Sequence, residues 1–222
     1  MAVVKQSLQV LSGKVGNVVY RRRGKINYMA ALPKRYKMSK SPEAQAARKR
    51  FKTLSAFSQY VNTFHRLKEI WNDSTLEGLY AYNKIMKANA PHMQVEDLSV
   101  YNMIAPKTSE DPIKSLTLSK TELFLSLNNY VFPPEAEDFF LTLILTFYSP
   151  VNPGIPFMEF AFVQGNAQPG TLDYKFQLSE TAVRFIGEYQ KVIAYTALSF
   201  TQSKHLSCYS NTAVLFQTSE IT

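Results

Sequence analysis

Between residues 44 and 71 the apolar positions step by three or four: Ala44, Ala47, Phe51, Leu54, Phe57, Val61, Phe64, Leu67 and Trp71. That period predicts an amphipathic helix with one broad apolar stripe. Ser41-Pro42 marks its start, since a serine can cap free N–H groups and proline suits the first helical position. Asn72-Asp73 interrupts the pattern. Ser74 and Glu77 then have the spacing of a capping box, which predicts a second helix over 75–89 ended by Pro91. Leu76, Leu79, Tyr80, Asn83 and Met86 would share its inner face. Two helices joined by a short turn predict an antiparallel helical hairpin.

Elsewhere the period is two. Residues 6–32 read as a β-hairpin, with Gly13 and Gly16 marking a bend or bulge. VVYRRR and INYMAAL are its two strands, joined through Gly24-Lys25. Residues 33–41 form a basic, turn-rich connector, and 91–112 an extended linker. Beyond residue 112 seven strand-like runs follow: IKSLTLS, ELFLSL, FFLTLILTFYS, FMEFAFVQG, TLDYKFQLS, KVIAYTALSFTQ and LSCYSNTAVLF. TLDYKFQL alternates as a half-buried strand does, and LTLILTF is nearly continuous, as in a central strand. SETAVRFIGEYQ fits a strand or a short helix. The expected fold class is α+β in two modules. One is a basic β-hairpin and helical hairpin over 1–90. The other is an antiparallel β-sandwich of immunoglobulin or fibronectin type over 113–222.

Composition narrows the classes. The chain has 222 residues, 45% hydrophobic and 13% aromatic, so it can bury a sizeable core. One cysteine, Cys208, excludes an internal disulfide framework. The opening MAVVKQSLQV lacks the apolar core of a classical signal peptide. No run of about 18 apolar residues predicts a membrane span. Charge narrows them further. Residues 1–90 carry 18 Lys and Arg against 4 Asp and Glu; residues 91–222 carry 7 against 13. A basic front and an acidic rear point to a polyanionic partner, or to copies associating head to tail.

The chemistry-bearing residues are sparse. His65, His92 and His205 lie far apart, with no Cys or carboxylate at ligand spacing, so no metal site is expected. Cys208 sits in an alternating run and reads as a small buried hydrophobe. Gly13-Lys14 and Gly24-Lys25 lack the glycine spacing of a phosphate loop, and Val15 and Ile26 stand where its Ser/Thr belongs. Gly13-Lys14-Val15-Gly16 matches a four-residue loop that clamps nucleic-acid backbone, yet it falls in an apparent hairpin. Glu135, Glu137 and Asp138 read as a solvated, proline-rich loop. No catalytic residue and no cofactor is expected.

One constellation stands out: Arg21, Arg22, Arg23, Lys25, Lys34, Arg35 and Lys37, then Arg48, Lys49, Arg50 and Lys52. Arginine forks suit phosphate or carboxylate. On a strand Arg21 and Arg23 point one way and Arg22 the other. Tyr28 and Tyr36, interleaved among them, would stack on bases or pack under lysine stems.

The stretch LSGKVGNVVYRRRGKINYMAALPKRYKMSKSPEAQAARKRF resembles the opening of an uncharacterised family of bacterial proteins common in Bacteroidetes. It is similar also to short prophage-encoded proteins. Gly13, Gly16, Gly24, Ser41-Pro42, Gln45 and Arg48 carry the likeness. AYTALSFTQSKHLSCYSNTAVL resembles the family's closing strand pair, around Ser207 and Ser210. The resemblance implies no cofactor and no catalytic residue, and points to a virion or assembly component. The expected function is a non-enzymatic structural protein of a large assembly, most plausibly a phage virion. Its basic module would be anchored to an acidic protein surface or nucleic acid. The alternative is a nucleic-acid-binding protein of the bacterial cytoplasm. Expected partners are other protein subunits, DNA or RNA, or further copies of the chain, and no membrane.

Overall fold

Why the chain divides where it does follows from which apolar faces meet. The computed structural model describes residues 13–23, 26–31, 38–94, 97–108, 113–128, 138–168, 170–202, 205–208 and 212–217. They fall into two compact units, 1–41 and 42–222. In the first, β1 (Gly13–Val15), β2 (Val18–Arg23) and β3 (Ile26–Ala31) form an antiparallel three-stranded sheet. Gly16 takes φ +57 between β1 and β2, at the first loop position, where a II′ hairpin turn needs glycine. The expected pairing of VVYRRR with INYMAA is present, with Val18 opposite Ala31 and Arg21 opposite Tyr28. No residue of this unit whose side chain is described is buried. Gly24 and Lys25, which join the pair, lie outside the described residues.

The second unit opens with helices. α1 (Pro42–Thr63) begins at the predicted proline. It does not run on to Trp71. Phe64 is extended, with φ −80 and ψ 113, and α2 (His65–Asp73) restarts after it. Thr63 supplies the local reason: its hydroxyl donates to Tyr60 O at 2.6 Å, competing with the next helical turn. The predicted second helix is also shorter, as α3 (Ala81–Asn89). The expected capping box does not form. Ser74 closes α2 instead, donating its hydroxyl to Trp71 O at 2.7 Å. Glu77 pairs with Lys87 across the loop. Asn72 Oδ1 accepts from Ala81 N at 2.8 Å and so begins α3. The buried Lys84 donates its ammonium to Asn72 O at 2.7 Å and Ser74 O at 2.6 Å. Gly78 adopts φ +156 against it; a Cβ there would lie 2.8 Å from Lys84 Cγ.

The strands beyond residue 112 match their predicted runs. β4 (Ile113–Leu118), β5 (Glu122–Leu127) and β8 (Asp173–Gln177) form one antiparallel sheet in the order β4-β5-β8. β6 (Asp138–Pro150), β7 (Met158–Ala167), β9 (Tyr189–Gln202), β10 (His205–Cys208) and β11 (Thr212–Gln217) form the other. Its order is β10-β9-β6-β7, and β11 pairs β9 further along the edge that β10 occupies. The single run LSCYSNTAVLF therefore divides between two strands. The ambiguous SETAVRFIGEYQ resolves into α4 (Glu180–Glu188), capped by Ser179, before β9 begins.

β6 and β9 are buried on both faces. Leu141, Leu143, Leu145 and Phe147, with Val192, Ala194 and Leu198, share a core with Leu116, Leu123, Leu125 and Leu127 of the three-stranded sheet. Ile144, Tyr148, Ile193, Tyr195 and Ala197 meet Leu54, Phe57, Val61, Leu67 and Trp71 of the helices. Phe57 lies 5.3 Å from the Tyr195 ring. The division at residue 41 therefore differs from the expected modules 1–90 and 113–222. The helices' apolar stripe is covered by the sheet, so the two cannot be separate domains. Within 91–112, the described residues 91–94 and 97–108 are not an extended linker either. Leu98, Ile104 and Ala105 are buried in the helix–sheet core. Asn89 Oδ1 accepts from Met103 N at 2.7 Å and from Asn102 Nδ2 at 3.0 Å. Trp71 Nε1 donates to Ile104 O, and the Tyr195 hydroxyl to Ser99 O.

Two stability outcomes follow from this packing. A chain of residues 42–222 should unfold cooperatively, whereas 113–222 alone exposes the Ile144–Tyr195 face and should aggregate. Thermal melts and light scattering of the two fragments decide this; a monomeric, cooperative 113–222 contradicts it. Lys84→Met removes two charge-assisted hydrogen bonds to part-buried carbonyls and should cost about 2 kcal/mol. Gly78→Ala should also destabilise, because Lys84 cannot move aside without losing those bonds. Urea midpoints unchanged in both variants would refute the ammonium's role.

Candidate polyanion and partner interface

The predicted cations fall in both units. Arg21 is exposed on β2. Arg22 and Arg23 follow it, opposite Asn27 and Ile26 of β3. The side chains of Arg22 and Arg23 lie outside what the structure describes. Lys25, Lys34, Arg35 and Lys37 lie outside the described residues. Arg48, Lys49, Arg50 and Lys52 are brought together, all exposed on α1 within its first three turns. Only Glu43 is acidic in the first turn. The four cations lie beyond the first turn, where the macrodipole acts most strongly, so the dipole does not account for their position. Arg50 has an internal task as well. Its Nη2 donates to Ala90 O at 2.7 Å, one of the open carbonyls ending α3.

Beside these cations lies a groove that sequence reasoning missed. Lys49, Lys52, Thr53 and Ala56 form one wall, and residues 156–160 the other, around a volume of about 580 Å³. Phe157, Met158 and Phe160 make it apolar, and Glu159 is its only acid among the described residues. Tyr60 of α1 stacks on Phe160 at 4.7 Å. The run FMEF carried a strand signal, and nothing in it showed that its even-numbered side chains would face α1. Such a groove can take a chain segment with apolar side chains, while Lys49 and Lys52 attract acidic groups at its rim.

The remaining candidates stay apart. His65 Nδ1 lies 3.2 Å from Glu69 one turn on, a local pair on an exposed helix face. His205 and Cys208 lie on β10, and Asp138 is exposed at the start of β6. Glu135 and Glu137 lie outside the described residues. Among the described residues no group of three or more His, Cys, Asp or Glu is placed to hold a metal ion. No described helix is long and apolar enough to cross a membrane.

Tyrosines set an alkaline limit on this interface. Burial pushes the Tyr60 hydroxyl up to about 12. It does the same to Tyr189, whose hydroxyl donates to Pro156 O at 2.8 Å beside the groove. Burial raises Tyr195 too, as does its neighbour Tyr148. An unfolded phenol ionises near pH 10. The folded chain holds these protons more tightly, so their stabilisation is complete below about pH 10 and is lost as pH rises toward 12. Melting temperatures should fall across that window; a flat profile from about pH 9.5 to 11.5 contradicts it.

No protein-family model matches this chain, and neither does any curated protein or any solved structure.

Proposed function

We propose that the protein is a non-enzymatic component of a larger assembly, a phage virion, joined to a polyanionic partner through its cation-rich segments. The observation that carries this reading is the exposed cluster Arg48, Lys49, Arg50 and Lys52 at the start of α1, beside an apolar groove. Four cations within five positions of an exposed helix face give it a concentrated positive charge. An acidic protein surface with apolar side chains fits cluster and groove together. Arg21, cross-strand from Tyr28, favours a second reading, a cytoplasmic nucleic-acid-binding protein. There the arginine would hold phosphate and the ring would stack on a base.

We also infer an immunoglobulin- or fibronectin-type sandwich for the two larger sheets. What supports it is the alternation of the chain: β4 and β5 in one sheet, β6 and β7 in the other, β8 back beside β5, and β9 beside β6. Relative to the constant-type immunoglobulin order, the fourth strand has moved to the other sheet.

The variant Arg48→Gln/Lys49→Gln/Lys52→Gln tests the interface and spares Arg50, which is tied to α3. If the three cations touch phosphate, log affinity for duplex DNA should lose up to about 2.7 units of slope against log salt. For an acidic protein surface, wild type should bind poly-glutamate, and the variant should release it with little DNA affinity in either. Multimers in sedimentation without nucleic acid favour the assembly reading; a discrete complex only with nucleic acid favours the second. Wild-type binding to neither DNA, RNA nor poly-glutamate at about 50 mM salt would overturn both.

A further inference from the structure

Where α1 ends and α2 begins, a second cleft opens on the helix side of the sheet. Its volume is about 470 Å³, within the range of small-ligand sites. Tyr60, Phe64, Phe140 and Phe162 line it with rings, and Arg66 and Gln164 are among its polar groups. It stands apart from the cation cluster. Arg66 follows Lys52 by fourteen positions, roughly 20 Å along helical chain at 1.5 Å per residue.

Arg66 is the unusual group. Its guanidinium lies over the Phe140 ring at 4.5 Å. Its Nη1 is buried without a hydrogen-bond partner. Stacking satisfies only the face of a guanidinium. Its five N–H donors point outward in the plane and still require acceptors. No carboxylate lines the cleft among the described residues. The hydroxyl of Thr63 is already given to Tyr60 O, and Gln164 Nε2 is turned toward Thr142 at 3.5 Å. α2 opens at Phe64 with no side-chain cap, so its first N–H groups add to an electropositive floor. Phe162, half exposed and edge-on to Phe64 at 5.3 Å, offers an open ring face above it.

We propose that this cleft binds a flat ring carrying an oxyanion, with the oxyanion on Arg66 and the ring against Phe162. An arginine fork matches carboxylate and phosphate alike. Two sources share this chemistry: a nucleoside monophosphate, free or at the end of a strand, and an aromatic carboxylate. The site is independent of the α1 cations.

The test is titration of the full-length chain, followed by NMR or calorimetry, with four probes. These are adenosine monophosphate, adenosine, inorganic phosphate and phenylpyruvate. Ring and oxyanion should both be needed, so adenosine and phosphate alone should each bind at least about tenfold more weakly than a probe carrying both. Tighter binding of the monophosphate identifies the nucleotide source, and tighter phenylpyruvate the carboxylate; either supports the site. Arg66→Gln should lower the affinity of the better probe about tenfold or more and leave the weak adenosine binding unchanged. Phe162→Ala, at a half-exposed position the fold tolerates, should weaken both adenosine and the monophosphate. No binding of any probe at millimolar concentration would overturn the proposal. Equal affinity for the better probe and adenosine, or unchanged affinity in both folded variants, would do so as well.

Discussion

The structure of residues 42–222 depends on one requirement: the β6/β9 pair must be covered on both sides. Adjacent strands with apolar side chains on alternating faces cannot leave either face in water. One face takes the leucines of β4 and β5. The other takes α1, α2 and the segment around Leu98 and Ile104. α4 and the segment after α3 each serve one of these two layers. α4 packs Phe185 against Phe147 at the end of the first core. Tyr195, on the helix-facing side of β9, bonds to Ser99 and fixes the intervening segment.

That segment shows how a polar network substitutes for regular structure. Residues 97–105 have neither helix nor strand, yet several are fully buried. Their backbone groups need partners in the absence of water. Asn89 and Asn102 provide them, each presenting a donor and an acceptor from one amide. Lys84 acts in the same way on the preceding loop, where its ammonium gathers the carbonyls left at the end of α2. The helical hairpin is thus held by side chains reaching into loops as well as by its apolar stripe.

The same packing shapes the surfaces offered to partners. Because α1 crosses the sheet beside β7, grooves form at both ends of the contact. One lies by Lys49 and Lys52, the other by Arg66. Tyr60 and Phe160, stacked between them, separate the two. Both grooves pair cations on a helix with aromatic side chains on a strand. In chain order those groups are about a hundred residues apart.

Much of the secondary structure was legible in the sequence, because period and local chemistry are properties of neighbouring residues. The 3.6-residue stripe marked α1 and α2, the alternation of TLDYKFQL marked β8, and the near-continuous LTLILTF marked β6 as a central strand. The exposed cations of α1 were legible for the same reason: a helix places Arg48 to Lys52 on its surface once its apolar face is known. The break at Phe64, the loss of the Ser74–Glu77 cap and the buried Asn89–Asn102 pair were not. Each arises from competition between a local preference and a partner distant in sequence. The boundary near residue 112 was misplaced because a change of charge and period resembles a linker. Only the folded chain reveals that one apolar face answers the other. The aromatic walls of both grooves and the unpaired Arg66 belong to the same class. Sequence determined which residues could form helices, strands and a basic surface; tertiary structure decided which faces met, because burying apolar area couples residues without regard to their order in the chain.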